Sequence, residues 1–146
     1  MDYILLLSKC RQVIGPSMLP TLNQAGDILA VNMVPKWWGQ FNTGDVVLMR
    51  SPGNPTLHLA KRILGVEGEK VTYLVDPNNS KTIKTVLVPE GHVWVQGDNI
   101  HKSYDSRKFG PVPRGLIQGR IFYRVWPPEK IGPIDSKVNP NEPPTK

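Results

Sequence analysis

Cysteine is almost absent from this chain of 146 residues, where Cys10 stands alone. One cysteine excludes an intramolecular disulfide and leaves the redox compartment open. Long apolar runs are also missing. No stretch reaches the roughly 18 to 20 apolar residues that a membrane-spanning helix needs. Near the start, Tyr3 to Leu7 is apolar, but Ser8, Lys9, Cys10 and Arg11 interrupt it, so it is too short for the apolar core of a secretory signal. The formal net charge is +6, yet the lysines and arginines are scattered. There is no basic helix and no series of aromatics interleaved with arginine, which argues against a nucleic-acid partner. No internal repeat is visible, and no metal and no cofactor is expected.

Turn formers are abundant, with 13 glycines and 15 prolines. They punctuate the chain every few residues and favour short strands joined by turns. Strands are expected at Asp27–Val34, Val46–Met49, Leu57–Leu64, Val71–Val75, Ile83–Val88, around Val93 and Val95, and at Arg120–Trp126, with Phe109–Pro113 extended. The expected fold class is mainly β, its short strands curled into a barrel-like sheet. The chain divides into a short apolar segment (1–14), a folded domain (15–126) and a Pro-rich tail (127–146) expected to be disordered. The first segment reads as a shortened anchor, an edge strand or an interfacial foot. The adjacent Trp37 and Trp38 cannot both face the core from a strand; beside Lys36 they suit either a membrane–water interface or one core and one surface position.

Three stretches could carry chemistry. Ser17 lies between Pro16 and Pro20 in Ile14-Gly15-Pro16-Ser17-Met18-Leu19-Pro20-Thr21-Leu22. The prolines fix their own φ and bias the preceding residues towards extended backbone, making a stiff mount for a hydroxyl. A serine needs a base. His58, His92 and His101 are available, and His101 follows Asp98 closely, so a Ser-His-Asp arrangement stays open. Lysine is the other choice. In an extended Leu57–Leu64 segment, Leu57, Leu59, Lys61 and Ile63 share one face, which points Lys61 inward. His58, Ala60, Arg62 and Leu64 share the other. Burial would lower the lysine pKa from about 10.4 and allow a neutral amine. The third stretch runs from Gly97 to Arg107. There Ser103, Asp105 and Arg107 would share a face if extended, letting Asp105 and Arg107 pair while Ser103 orients a lysine amine.

Taken together, these stretches resemble type I signal peptidases. Gly15-Pro16-Ser17-Met18-Leu19-Pro20-Thr21-Leu22 resembles the nucleophile block, and Gly44-Asp45-Val46-Val47 the next one. Lys61-Arg62-Ile63-Leu64-Gly65 is similar to the block that supplies the lysine base. Gly97-Asp98-Asn99, Ser103-Tyr104-Asp105-Ser106-Arg107 and Gly110 to Pro113 are similar to the last block. The blocks occur in family order, and within the family the Arg124-Val125-Trp126-Pro127 ending and the short length most resemble mitochondrial inner membrane protease subunits.

The resemblance implies a Ser-Lys dyad: Ser17 as nucleophile, with its backbone N–H as an oxyanion donor, and Lys61 as base. It implies that Ser103 holds the Lys61 amine and that Asp105 and Arg107 brace the loop. It further implies precursor polypeptides with hydrophobic sorting signals as substrates, a second peptidase subunit, a membrane partner, and a place on the mitochondrial inner membrane facing the intermembrane space. Where many relatives carry a hydroxyl two residues before the nucleophile, this chain has Gly15. A bacterial-type signal peptidase I and a non-catalytic subunit of the peptidase complex are the alternatives.

Overall fold

In the computed structural model, residues 8–12, 15–33, 41–79 and 81–136 are described. The segments carrying Tyr3–Leu7, Trp37 and Trp38, and residues 137–146, lie outside them. The strands are β1 (Ser8–Gln12), β2 (Ile28–Asn32), β3 (Val46–Arg50), β4 (His58–Val66), β5 (Lys70–Leu74), β6 (Ile83–Leu87), β7 (His92–Gln96), β8 (Val112–Pro113), β9 (Ile117–Trp126) and β10 (Gly132–Pro133). A single helical turn, α1, spans Ser106–Phe109. Among the described residues no helix is long and apolar enough to cross a membrane.

The main sheet runs in the order β1-β2-β9-β3-β4-β7-β8, with β10 added to β9, and its pairings are antiparallel. The architecture is mainly β, as the turn-rich composition implied. Among the described residues no pairing joins β1 to β8, so the sheet stays open rather than closing as a barrel. β1, built from the residues that follow Tyr3–Leu7, pairs with β2 at the edge of the sheet.

Side chains alternate along each strand, and both faces of the sheet are covered. Val46, Leu48 and Ala60 point to one face, where Met18, Leu22, Leu29, Val31, Ile121 and Ile134 join them. Val47, Met49 and Ile63 point to the other, with Val93, Val95, Val112 and Ile117. Burying a large apolar side chain contributes about 1.5–3 kcal/mol, so residues from distant parts of the chain hold the central strands in place.

The β5–β6 hairpin forms a separate two-stranded sheet. It packs through Val71, Tyr73 and Val86 onto Leu64, Val88 and Trp94. Gly65 permits this, because a Cβ there would collide with the Val71 side chain.

Two expectations need correction. Phe109–Pro113 is not one extended segment: Phe109 closes α1, and only Val112–Pro113 is strand. The tail does not lose structure at Pro127. Pro128–Lys130 is a 3-10 turn, β10 pairs with β9, and Ile134 is buried. Proline density suggested disorder, but an antiparallel pairing on β9 and one apolar anchor suffice to hold this segment.

Candidate active site

The Ser17 turn is anchored by its neighbours. Met18 and Leu22 are buried in the core while Ser17 remains half-buried at the surface. The Leu22 N–H donates to the Met18 carbonyl at 2.9 Å, and the Gly15 N–H donates to the Gln24 carbonyl at 2.7 Å, closing the base of the turn. Arg124 on β9 donates to the Thr21 carbonyl at 2.6 Å and pairs with the buried Asp27 at 3.2 Å. A carboxylate that accepts from a guanidinium and from Asn23 can lie buried, because its lone pairs are occupied.

Lys61 emerges on the face its strand parity indicated and is 3% exposed. Burial lowers its pKa from 10.5 to about 8; the nearby Asp105 carboxylate opposes the shift and the Arg107 guanidinium adds to it. The Lys61 amine donates to Ser103 Oγ at 3.0 Å. Ser103 Oγ also accepts from the Gly97 N–H at 3.1 Å. Both donors are held by one oxygen, so the amine has a fixed orientation, and a neutral amine keeps its lone pair for another partner.

Arg62 departs from the sequence expectation. Strand parity puts it on the face of His58, opposite the inward Lys61, yet it is 2% exposed while His58 is exposed. Its Nε and Nη2 donate to the two oxygens of Asp98, both at 2.9 Å, and its Nη1 donates to the carbonyls of Gly44 and Asp135. The second face of β4 is therefore interior, and Arg62 is tolerated there because its donors meet acceptors.

Asp98 also accepts from the Thr21 hydroxyl. Asn99 donates its N–H to the Ser17 carbonyl at 2.9 Å and its side-chain amide to the Pro16 carbonyl at 3.2 Å. Thus the Gly97–Arg107 loop grips the serine turn from one side and the lysine strand from the other. Gly97 sits at the crossing point. A Cβ on it would fall under 3.0 Å from both Ser103 Oγ and the Ser17 carbonyl oxygen, so only a bare Cα lets the two segments approach.

Asp105 and Arg107 make the contact their spacing suggested, by a different route. Asp105 caps α1, accepting from the Arg107 N–H at 3.2 Å, and the Arg107 side chain folds back onto it at 2.9 and 3.0 Å. Asp105 also accepts from the Gly97 N–H at 3.0 Å. The histidine alternative is not assembled. Asp98 is occupied by Arg62 and Thr21, and the exposed His101 ring bonds to Asn78. The sequence gives Asp98, Asn99, Thr21 and Gly97 no part in holding Ser17 and Lys61 together; the local signal for one is the Gly-Asp-Asn that opens the loop carrying Ser103.

Comparison with known proteins adds a second line. The signal peptidase, peptidase S26 family matches residues 3–80 and 73–126. The chain is 52% identical over 120 residues to the mitochondrial ATP-independent inner membrane protease subunit 1a of Arabidopsis thaliana, covering 82% of this chain and 71% of that one. It is 39% identical over 125 residues to the mitochondrial inner membrane protease subunit 1 of Homo sapiens, covering 86% and 74%. Subunit 2 from Schizosaccharomyces pombe is 42% identical over 123 residues, covering 83% and 66%. A crystal structure of a signal peptidase I from Enterococcus faecalis superposes with a TM-score of 0.49 at 27% identity, covering 57% of this chain and 97% of that one.

Proposed function

Because this chain belongs to the signal peptidase family, peptidase S26, and is therefore a serine-type peptidase, we propose that it works through a dyad of Ser17 and Lys61. The observation that carries this reading is a buried lysine, its pKa lowered to about 8, held by Ser103 beside the turn that bears Ser17.

In the proposed cycle, Ser17 Oγ attacks the scissile carbonyl carbon and passes its proton to Lys61 Nζ. Lys61 then gives that proton to the leaving amine as the peptide C–N bond breaks. Water attacks the resulting ester, Lys61 takes a proton from it, and the proton returns to Ser17 Oγ as the acyl group leaves. The Ser17 backbone N–H donates to the developing oxyanion; one such donor is worth about 3 kcal/mol. Asp105 and Arg107 hold the loop that presents Ser103.

The relatives bear the names of two subunits of a mitochondrial inner membrane protease. By that likeness, the substrates of this chain are precursor polypeptides with hydrophobic sorting segments. It works with a second subunit at the mitochondrial inner membrane, facing the intermembrane space.

The test is cleavage of a presequence-bearing precursor in detergent, with the second subunit present, by the native chain, Ser17→Ala and Lys61→Met. Cleavage by the native chain alone, with all three folded, is the expected result. Retained cleavage by either variant removes the dyad, and silence of all three leaves the chain a non-catalytic subunit.

A further inference from the structure

The loop that carries Ser103 is tied down at its two ends. Gly97, Asp98 and Asn99 reach the Ser17 turn and Arg62, while Asp105 caps α1. Its apex, Ile100 to Lys102, has no such support. Among the described residues, the hydrogen bonds joining that apex to anything outside the loop run to one residue, Asn78, at the tip of the β5–β6 hairpin.

The contact is reciprocal. Asn78 Nδ2 donates to the His101 carbonyl at 3.2 Å, and the His101 ring Nδ1 lies 2.8 Å from Asn78 Oδ1. With the amide nitrogen spent on the carbonyl, Oδ1 is the acceptor and His101 Nδ1 carries the proton. The tip is shaped for this. Asp76 accepts from the Asn78 N–H at 3.2 Å and from Asn79 Nδ2 at 3.0 Å, an Asx turn that presents the Asn78 side chain.

Behind the contact lies a cavity of about 160 Å³, lined by Asp76, Asn78, His101, Ser103, Arg107 and Lys108 among others. It has room for several waters. On that side Ser103 faces solvent-sized space, not packed side chains, so packing alone does not hold it forward against Lys61.

We propose that the hairpin tip is a clasp for the catalytic loop, with Asn78 and His101 as positioning residues that keep Ser103 against the Lys61 amine. The clasp spans the cavity and supplies the restraint that packing leaves out. Because the hairpin is a sheet of its own, packed on the main sheet through an apolar cluster, the Asn78–His101 contact links its tip to the loop that carries Ser103. The proposal rests on the reading of Lys61 as base.

The experiment is precursor cleavage across pH by the native chain with its second subunit, compared with Asn78→Ala, His101→Ala and the double variant. Lys61→Met serves as the control for the underlying reading. Both positions are exposed, and thermal melting confirms that each variant is folded at the assay temperature. Each single variant is expected to lose about five- to tenfold in kcat at unchanged KM, the scale of one or two hydrogen bonds. The double variant is expected to fall no further than Asn78→Ala, which already removes both hydrogen bonds, while His101→Ala leaves the bond to its own carbonyl in place. The acid limb of kcat/KM should move to lower pH, because the Lys61 ammonium loses the hydroxyl that accepts from it. Native-like turnover, or additive losses with an unmoved pH profile, overturns the clasp. Cleavage by Lys61→Met overturns the base assignment beneath it and is distinguishable, since the clasp variants do not enter that comparison.

Discussion

Lys61 and Arg62 are consecutive residues of one strand, point to opposite faces of the sheet, and are both buried, at 3% and 2% exposure. Arg62 meets a bidentate carboxylate and two carbonyls. Among the described residues, the Lys61 amine hydrogen-bonds one hydroxyl. The difference matters for function. A guanidinium with its donors satisfied stays charged and ties the strand to the Asp98 loop. An ammonium with a hydroxyl partner in a dry site gives up its proton more readily, which is what a base requires.

Lysine burial is a stability statement with a definite sign. Between about pH 8 and 10.5 the unfolded chain holds a proton on Lys61 that the folded chain does not. Stability therefore rises with pH across that window and is lowest below it. At pH 7 the folded protein carries the full cost, about 3 kcal/mol by the size of the shift. Lys61→Met removes that cost and loses one hydrogen bond worth about 1 kcal/mol. Denaturant unfolding should find the variant at least as stable as the native chain at pH 7, with the gap closing as pH approaches 10.5. A variant clearly less stable at pH 7 contradicts the desolvated lysine.

Activity should follow the same group. With a pKa of about 8 for Lys61, about a tenth of the free enzyme holds a neutral amine at pH 7. The value of kcat/KM for precursor cleavage should rise roughly tenfold per pH unit below 8 and level off above it. A profile flat from pH 6 to 9 means that another group, or no titrating base, limits the reaction.

Gly97→Ala should be severe for its size. The added methyl meets the Ser103 hydroxyl and the Ser17 carbonyl at once, and neither is the far end of a flexible chain. Overpacking of this kind costs about 1–3 kcal/mol, and a 1 Å displacement between nucleophile and base costs about a hundredfold in rate. Melting and cleavage should show a modest loss of stability with activity down by about two orders of magnitude. Near-native cleavage would mean that the Ser17 and Ser103 segments need not approach so closely.

Asp98 and Thr21 separate stability from placement. Asp98→Asn leaves the buried Arg62 without a charged partner, and breaking such a pair typically costs about 3–5 kcal/mol. Thr21→Val leaves the Arg62–Asp98 pair whole and removes only the hydroxyl that ties the serine turn to it. The first should lower the unfolding midpoint strongly. The second should lower it little and cut kcat about tenfold at a temperature where the protein is folded. Equal losses of stability in the two variants would contradict this division.

Several of these features were legible along the chain because they depend on neighbours. Lys61 was readable as inward-pointing, since Leu59 and Ile63 flank it at strand parity. The Asp105–Arg107 contact was readable from spacing, although a helix cap and not a strand creates it. The burial of Arg62 was not readable, because the residues that cover its face, including Met18, Leu29, Ile121 and Ile134, come from remote segments. Nor was the order β2-β9-β3, which inserts a late strand between two early ones. The order in residues 127–136 was hidden for the same reason: Ile134 is an isolated apolar residue until β9 gives it a surface to bury against.

The residue types and their local periods thus determined the mainly β character, the stiff Ser17 turn and the inward face of Lys61. Tertiary structure decided the rest: that both faces of β4 are interior, that Lys61 is dry enough to lower its pKa, and that Ser17 and Ser103 meet across the bare Cα of Gly97. The reason is physical. Backbone parity and proline geometry are set by adjacent residues, whereas desolvation and close approach depend on which distant segments share the same space.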